Sequence, residues 1–139
     1  MTNLLQDFGF GSASGIALAA LLLRLALGGL FLAHAGLKYF VFTPAGAAGY
    51  FKSLGLPGFF AYLTIAAETL GGIALILGFQ TSLVALLLVP VIGGATFFGH
   101  RKNGFWFTNA NGGWEYPAFW TLAVLVQALI GGGALALTA

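Results

Sequence analysis

The chain has 139 residues, 60% of them apolar and 6% charged, with a mean hydropathy of +1.00. A soluble domain carries about a quarter of its residues as charges, so this composition places the chain in a membrane, with one domain over residues 1–139. Cysteine is absent, which excludes disulfides, thiol redox chemistry, Cys-ligated zinc, iron–sulfur clusters and covalent c-type haem. The scattered net charge of +2 leaves no nucleic-acid footprint.

The first thirteen residues contain no Lys or Arg, and the apolar stretch that follows is too long for a signal peptide. It reads as a retained spanning helix over about residues 14–38, with Arg24 deep inside it. The first connection carries Lys52 and its own helical signals. Thr43 can cap, Pro44 suits the first helical position, and Gly55 can close the last turn before Pro57. Ala47, Tyr50, Phe51 and Leu54 recur at helical spacing between them, so a short amphipathic helix is expected on the membrane interface.

A second span is expected at 58–78, with Glu68 near its centre, and a third at 82–99. The turn between them is so short that the two must be antiparallel neighbours. Pro90 should bend or loosen the third span, because its ring removes a backbone donor. The connection at 100–115 is polar and glycine-containing and holds Phe105-Trp106-Phe107, which fits either a hairpin or a re-entrant turn. The fourth span is expected at 116–136, carrying Gln127 and a stripe of small residues at Ala128, Gly132 and Ala136. The fold class is therefore all-α, an integral membrane four-helix bundle with a short interfacial helix in the first loop.

Lys38, Lys52, Arg101 and Lys102 all lie in or beside the first and third connections, and none of the other connections carries Lys or Arg. The positive-inside rule then puts loops one and three in the cytoplasm and both termini outside. Tyr39, Tyr50, Tyr62, Trp106, Trp114, Tyr116 and Trp120 crowd the same side as an aromatic belt.

An ionisable side chain at the middle of a span costs roughly 3 kcal/mol on insertion scales and usually faces a partner in the bundle. Besides Glu68, the acids are Asp7 and Glu115, so Arg24 and Glu68 are expected to pair within the membrane. By helical rise Arg24 lies ~21 Å from Lys38 and Glu68 ~15 Å from Gly58, depths close enough for the side chains to meet. Such a pair either makes Glu68 a protonatable group controlled by Arg24 or merely fixes helix register. A second cluster, His34, Lys38, His100 and Glu115, converges in depth near the first and third loops, where a histidine could relay protons or bond a quinone carbonyl. Haem ligation by His34 and His100, and metal binding by two histidines with a carboxylate, are lesser alternatives. No resident metal or intrinsic cofactor is expected.

Several segments, taken in order, make a specific set. They are Arg24-x3-Gly28, His34-Ala35-Gly36-Leu37-Lys38, Phe51 through Pro57, Glu68-Thr69-Leu70-Gly71-Gly72, Leu75 through Gly78, and Asn111-Gly112-Gly113-Trp114-Glu115-Tyr116. This set resembles the DoxX family of small bacterial four-helix membrane proteins over about residues 21–133. The resemblance implies a bacterial inner-membrane protein linked to thiosulfate:quinone oxidoreduction, to oxidative or thiol stress, or to quinone and catechol detoxification. The expected function is thus a membrane subunit of a quinone-linked redox system. Glu68, Arg24 and His34 would be its reactive residues, and Lys38 and Glu115 would help them bind the quinone. The alternatives are a non-catalytic scaffold that anchors soluble redox proteins on the cytoplasmic face, and a small-solute or proton pathway. Expected partners are membrane lipid, quinone and such soluble redox proteins, with a homo-oligomer left open and no nucleic acid.

Overall fold

Ser12 starts the first helix, its hydroxyl accepting the Gly15 N–H at 3.1 Å. Beyond Ser14 the run contains no Pro, Ser, Thr, Asn or Asp to compete with the backbone ladder before Gly36. The computed structural model describes residues 9–138; Asp7, weighed above as an acid, lies outside them. Helix α1 spans Ala13–Gly36 and widens into a π-helical turn at Leu37–Val41. Helix α2, Pro44–Ser53, is the expected loop helix: Thr43 Oγ1 accepts the Gly46 N–H at 3.2 Å and Pro44 takes the first position. Its Ala47 and Ala48 pack on Ala61 of α3.

Helix α3, Phe59–Leu77, ends where Gly78 turns left-handed at φ 72°. Phe79 N–H reaches Ala74 O at 2.9 Å and Gly78 N–H reaches Leu75 O at 3.1 Å, the paired bonds of a Schellman end. Helix α4, Thr81–Gly94, contains Pro90 and continues as a π-helical segment, Ala95–His100, and a 3₁₀ turn, Arg101–Asn103. Residues 104–114 then fold back on themselves as a hairpin-like loop, closed by Trp114 N–H to Gly104 O at 2.9 Å and Gly113 N–H to Trp106 O at 2.9 Å. Helix α5 is Glu115–Ile130.

Helix α1 packs chiefly on α3, and α4 on α5. The shared core is Leu27, Phe31, Leu75, Ala85, Leu88, Ile92, Trp120 and Val124. Small residues set the α1–α3 approach, as expected for helices in lipid. A Cβ on Gly28 would lie 2.7 Å from Gly72 O, and one on Gly72 would lie 2.9 Å from Gly28 O. The segments Ala13–Val41, Phe59–Leu77 and Thr81–Asn103 are long and apolar enough to cross a bilayer, and α5 is a shorter apolar helix. The protein is an all-helical, multi-pass membrane bundle.

Two sequence expectations fail here. The fourth helix stops at Ile130, not near residue 136, because Gly131 and Gly133 adopt φ 72° and 73°, conformations that end a helix. Gly132 and Ala136 therefore belong to no helical stripe. Instead the tail crosses the end of α3, with Leu137 N–H on Leu77 O at 3.2 Å and Thr138 N–H on Gly78 O at 3.1 Å. Trp120 is not a belt residue either: it is buried between Phe31 and His34, with ring centroids 4.8 and 4.7 Å away.

Candidate functional site

Arg24 does not pair with Glu68. Its guanidinium serves the C-terminal end of α3, where Nη1 donates to Leu75 O and Ile76 O at 3.2 Å each, and Nη2 donates to Leu135 O at 3.0 Å. The physical reason is side-chain direction. Helical side chains lean toward the N-terminus of their own helix, so Arg24 leans away from Glu68 and toward the end of the bundle where the chain termini lie. The last carbonyls of α3 carry partial negative charge and lack the regular i+4 donors of the helix, which a buried cation can replace. Gln127 does not extend an ionic network; its Nε2 donates to Gly131 O at 2.8 Å and holds the broken end of α5.

The same lean brings Lys38 inward. From the π-helical turn after α1, its ammonium donates to both carboxylate oxygens of Glu68 at 2.8 Å. The side chains are 18% and 6% exposed, so the pair is largely withdrawn from solvent. It is the ion pair found among the described residues.

This pair sits on the wall of a cavity of about 1000 Å³ at the loop end of the bundle. Its walls are mostly apolar: Phe51, Leu63, Ala67, Ile92 and Trp120 are typical. A few polar side chains interrupt them, the composition expected of a small-molecule site. His34 is one, one turn before Lys38; its Nδ1–H donates to Leu30 O at 3.0 Å, which leaves Nε2 bare in the neutral ring. His100 and Tyr116 line the cavity together, with Tyr116 Oη 3.0 Å from His100 Nε2. Thr64, from α3, Tyr50, from α2, and Asn111, from the hairpin-like loop, add further polar groups to the lining. Several lining residues, among them Phe42, Tyr50, Phe60 and Phe98, are exposed on the outer surface, so the cavity has an aromatic rim facing outward.

The structure thus brings together three of the five sequence candidates, His34, Lys38 and Glu68. It places Arg24 at the opposite end, and it gives Glu115 another task. Glu115 Oε1 accepts the Phe107 N–H at 2.8 Å and braces the loop, and the residue is not part of the cavity lining. Among the described residues no three His, Cys, Asp or Glu side chains gather as a metal-ligand set. Tyr116 and Tyr50 were missed in sequence; the available signal was that Tyr116 opens the last helix at the depth of His100.

The DoxX family model matches residues 19–101, which include the whole of the Arg24, Lys38 and Glu68 framework. The chain belongs to the DoxX family. A relative from Bacillus subtilis (strain 168), named "Putative oxidoreductase CatD", is 37% identical over 78 residues. That match covers 56% of this chain and 57% of the relative, so it spans little more than half of either protein. No solved structure matches the chain.

Proposed function

We propose that this DoxX protein is the membrane subunit of a redox system and binds a quinone in the cavity at the loop end. The observation that carries the reading is a buried Lys38–Glu68 pair on the wall of a large, mostly apolar chamber with an aromatic rim. The name of the relative CatD agrees with redox chemistry. A quinone ring is flat and apolar with oxygens at its edge, so it suits apolar walls with isolated polar groups. Lys38 has three N–H donors, of which Glu68 accepts two, leaving one for a quinone carbonyl. Reduction to the hydroquinone takes two electrons and two protons. Lys38 supplies the first proton as charge grows on the oxygen, His34, one turn away, is the adjacent carrier that restores it, and the second proton reaches the other oxygen from water at the loop face. The electrons come from a soluble redox protein docking at the loop face; the four basic residues in or beside loops one and three support a cytoplasmic side for that face, by the positive-inside rule.

Bound quinone tests this reading. Wild type and Glu68→Gln, purified in the same mild detergent, are extracted and their quinone quantified against phospholipid. Enrichment in the wild type and loss in the variant is the expected result. Equal, background quinone in two folded proteins would reject the site.

A further inference from the structure

A second concavity, an open groove of about 390 Å³, shares no wall residue with the chamber described above. It lies between α4 with its π-helical extension and the start of α5. Gly93, Phe97 and Arg101 recur at helical spacing on one wall, and Thr121, Ala118 and Trp114 on the other. The two helices run antiparallel, so Arg101 and Trp114 share the loop end, and Gly93 and Thr121 lie roughly 10 Å deeper in the span. At that depth the walls are close: a Cβ on Gly93 would lie 3.7 Å from Thr121 Cγ2. The groove is apolar in effect. Thr96 Oγ1 donates to Ile92 O at 2.9 Å and Thr121 Oγ1 to Pro117 O at 2.7 Å, so both hydroxyls already hold acceptors on their own helices. The loop end carries a charge. The guanidinium carbon of Arg101 sits 4.0 Å from the centroid of the exposed Phe97 ring, which holds the cation along the wall. Arg101 makes no ion pair among the described residues. The carboxylates there are Glu68, held by Lys38, and Glu115, whose Oε1 accepts the Phe107 N–H.

We propose that this groove binds one anionic phospholipid, with its phosphate on Arg101 and an acyl chain laid past Ala118 toward Gly93 and Thr121. The proposal does not rest on the quinone reading. A guanidinium offers several N–H donors in one plane, a geometry that fits phosphate oxygens. Basic pockets between spanning helices at headgroup depth recognise anionic lipid heads in this way. Trp114 lies at the same end, and its ring suits the boundary between headgroup and hydrocarbon. A second copy of this chain fits less well. It would bring a like charge to Arg101, and of the described acids it offers only Glu115, which already braces its own loop. One basic side chain beside an anionic headgroup corresponds to a preference of about fivefold over a zwitterionic lipid.

The test offers the purified full chain, in mild detergent, equal amounts of phosphatidylglycerol and phosphatidylcholine with identical acyl chains. Native mass spectrometry then reads the lipid each protein retains. The wild type should hold one phosphatidylglycerol with a preference of about fivefold. Arg101→Gln should bring the ratio close to one. Lys102→Gln removes the same charge from the neighbouring position, which does not line the groove, and should leave the ratio as it is. Ala118→Leu fills the groove with the charge intact and should release the lipid of either headgroup. Arg101 and Lys102 are both exposed, so their comparison decides the headgroup contact even where Ala118→Leu fails to fold. A wild-type ratio near one overturns the proposal. So does an equal loss in Arg101→Gln and Lys102→Gln, which marks diffuse surface charge, or a folded Ala118→Leu that retains the lipid. A wild type that is dimeric and lipid-free overturns it in favour of a second copy on this face.

Discussion

Replacing Lys38 by Met removes the two 2.8 Å charge-assisted bonds to Glu68 and leaves a carboxylate that is 6% exposed without its counter-charge. Breaking a buried pair in this way typically costs about 3–5 kcal/mol. Protonation sets a ceiling on that cost, because the orphaned carboxyl can take up a proton on folding and become neutral. From an ordinary glutamate value of about 4.3, this uptake costs about 4 kcal/mol at pH 7 and about 1 kcal/mol at pH 5. The sign follows directly. The folded variant binds one more proton than its unfolded chain, so its stability falls as pH rises, by about 1.4 kcal/mol per unit. With Lys38 in place the carboxylate keeps its counter-charge, so the wild type should lose less stability over the same rise in pH. Thermal or denaturant unfolding in mild detergent at the two pH values measures the deficit against wild type. The double variant Lys38→Met/Glu68→Met replaces the pair by apolar groups of similar length and should recover to within about 1–2 kcal/mol of wild type. A deficit that is the same at both pH values, or a double variant as unstable as the single one, would refute this account of the pair.

Arg24→Leu should destabilise the bundle by about 3 kcal/mol or more, since it strips donors from two carbonyls at the end of α3 and one in the returning tail. Arg24→Lys should not restore it, because one ammonium cannot copy the spread of the guanidinium fork; full stability by unfolding assay would count against the capping role. Gly72→Val should cost more than about 2 kcal/mol by forcing α1 and α3 apart at Gly28, read as a loss of folded protein in detergent. Thr81→Val should be neutral or stabilising, since the buried Thr81 hydroxyl has no partner and the new side chain has nearly the same shape. A loss above about 1 kcal/mol there would mean that the hydroxyl has a partner in the working protein.

The helices were legible because their signals are local. Apolar length marked the spans, Thr43 and Pro44 marked α2, and Gly78 marked the end of α3. The buried faces of α1 and α3 keep helical spacing: Arg24, Gly28, Phe31 and Ala35 on one, Glu68, Gly71 and Leu75 on the other. Partner choice was not legible from depth alone. Axial rise places Cα atoms, but the lean of each side chain separates Arg24 from Glu68 and carries Lys38 toward it. Electrostatic scarcity also misled, because a buried cation satisfied by helix-end carbonyls needs no acid. The tail failed for a different reason: Ala128, Gly132 and Ala136 form a packing stripe only if the helix runs on, whereas positive φ at Gly131 and Gly133 ends it.

The two buried cations divide the labour by their chemistry. Arginine stays charged and fits several acceptors in a fixed plane, so Arg24 suits the end of the bundle where α3, its C-terminal turn and the returning tail must be clamped. Lysine is a compact donor with three N–H bonds on a flexible stem, so Lys38 suits the end where the cavity lies. Between them α1 and α3 touch backbone to backbone at Gly28 and Gly72. That close crossing lies between the Arg24 clamp and the cavity walls at residues 34–38 and 64–68, so on the quinone reading proposed above a ligand would exchange without breaking the clamp. An exchange of the two side chains, Arg24→Lys with Lys38→Arg, keeps every charge in place. By this argument it should still lose both stability and bound quinone.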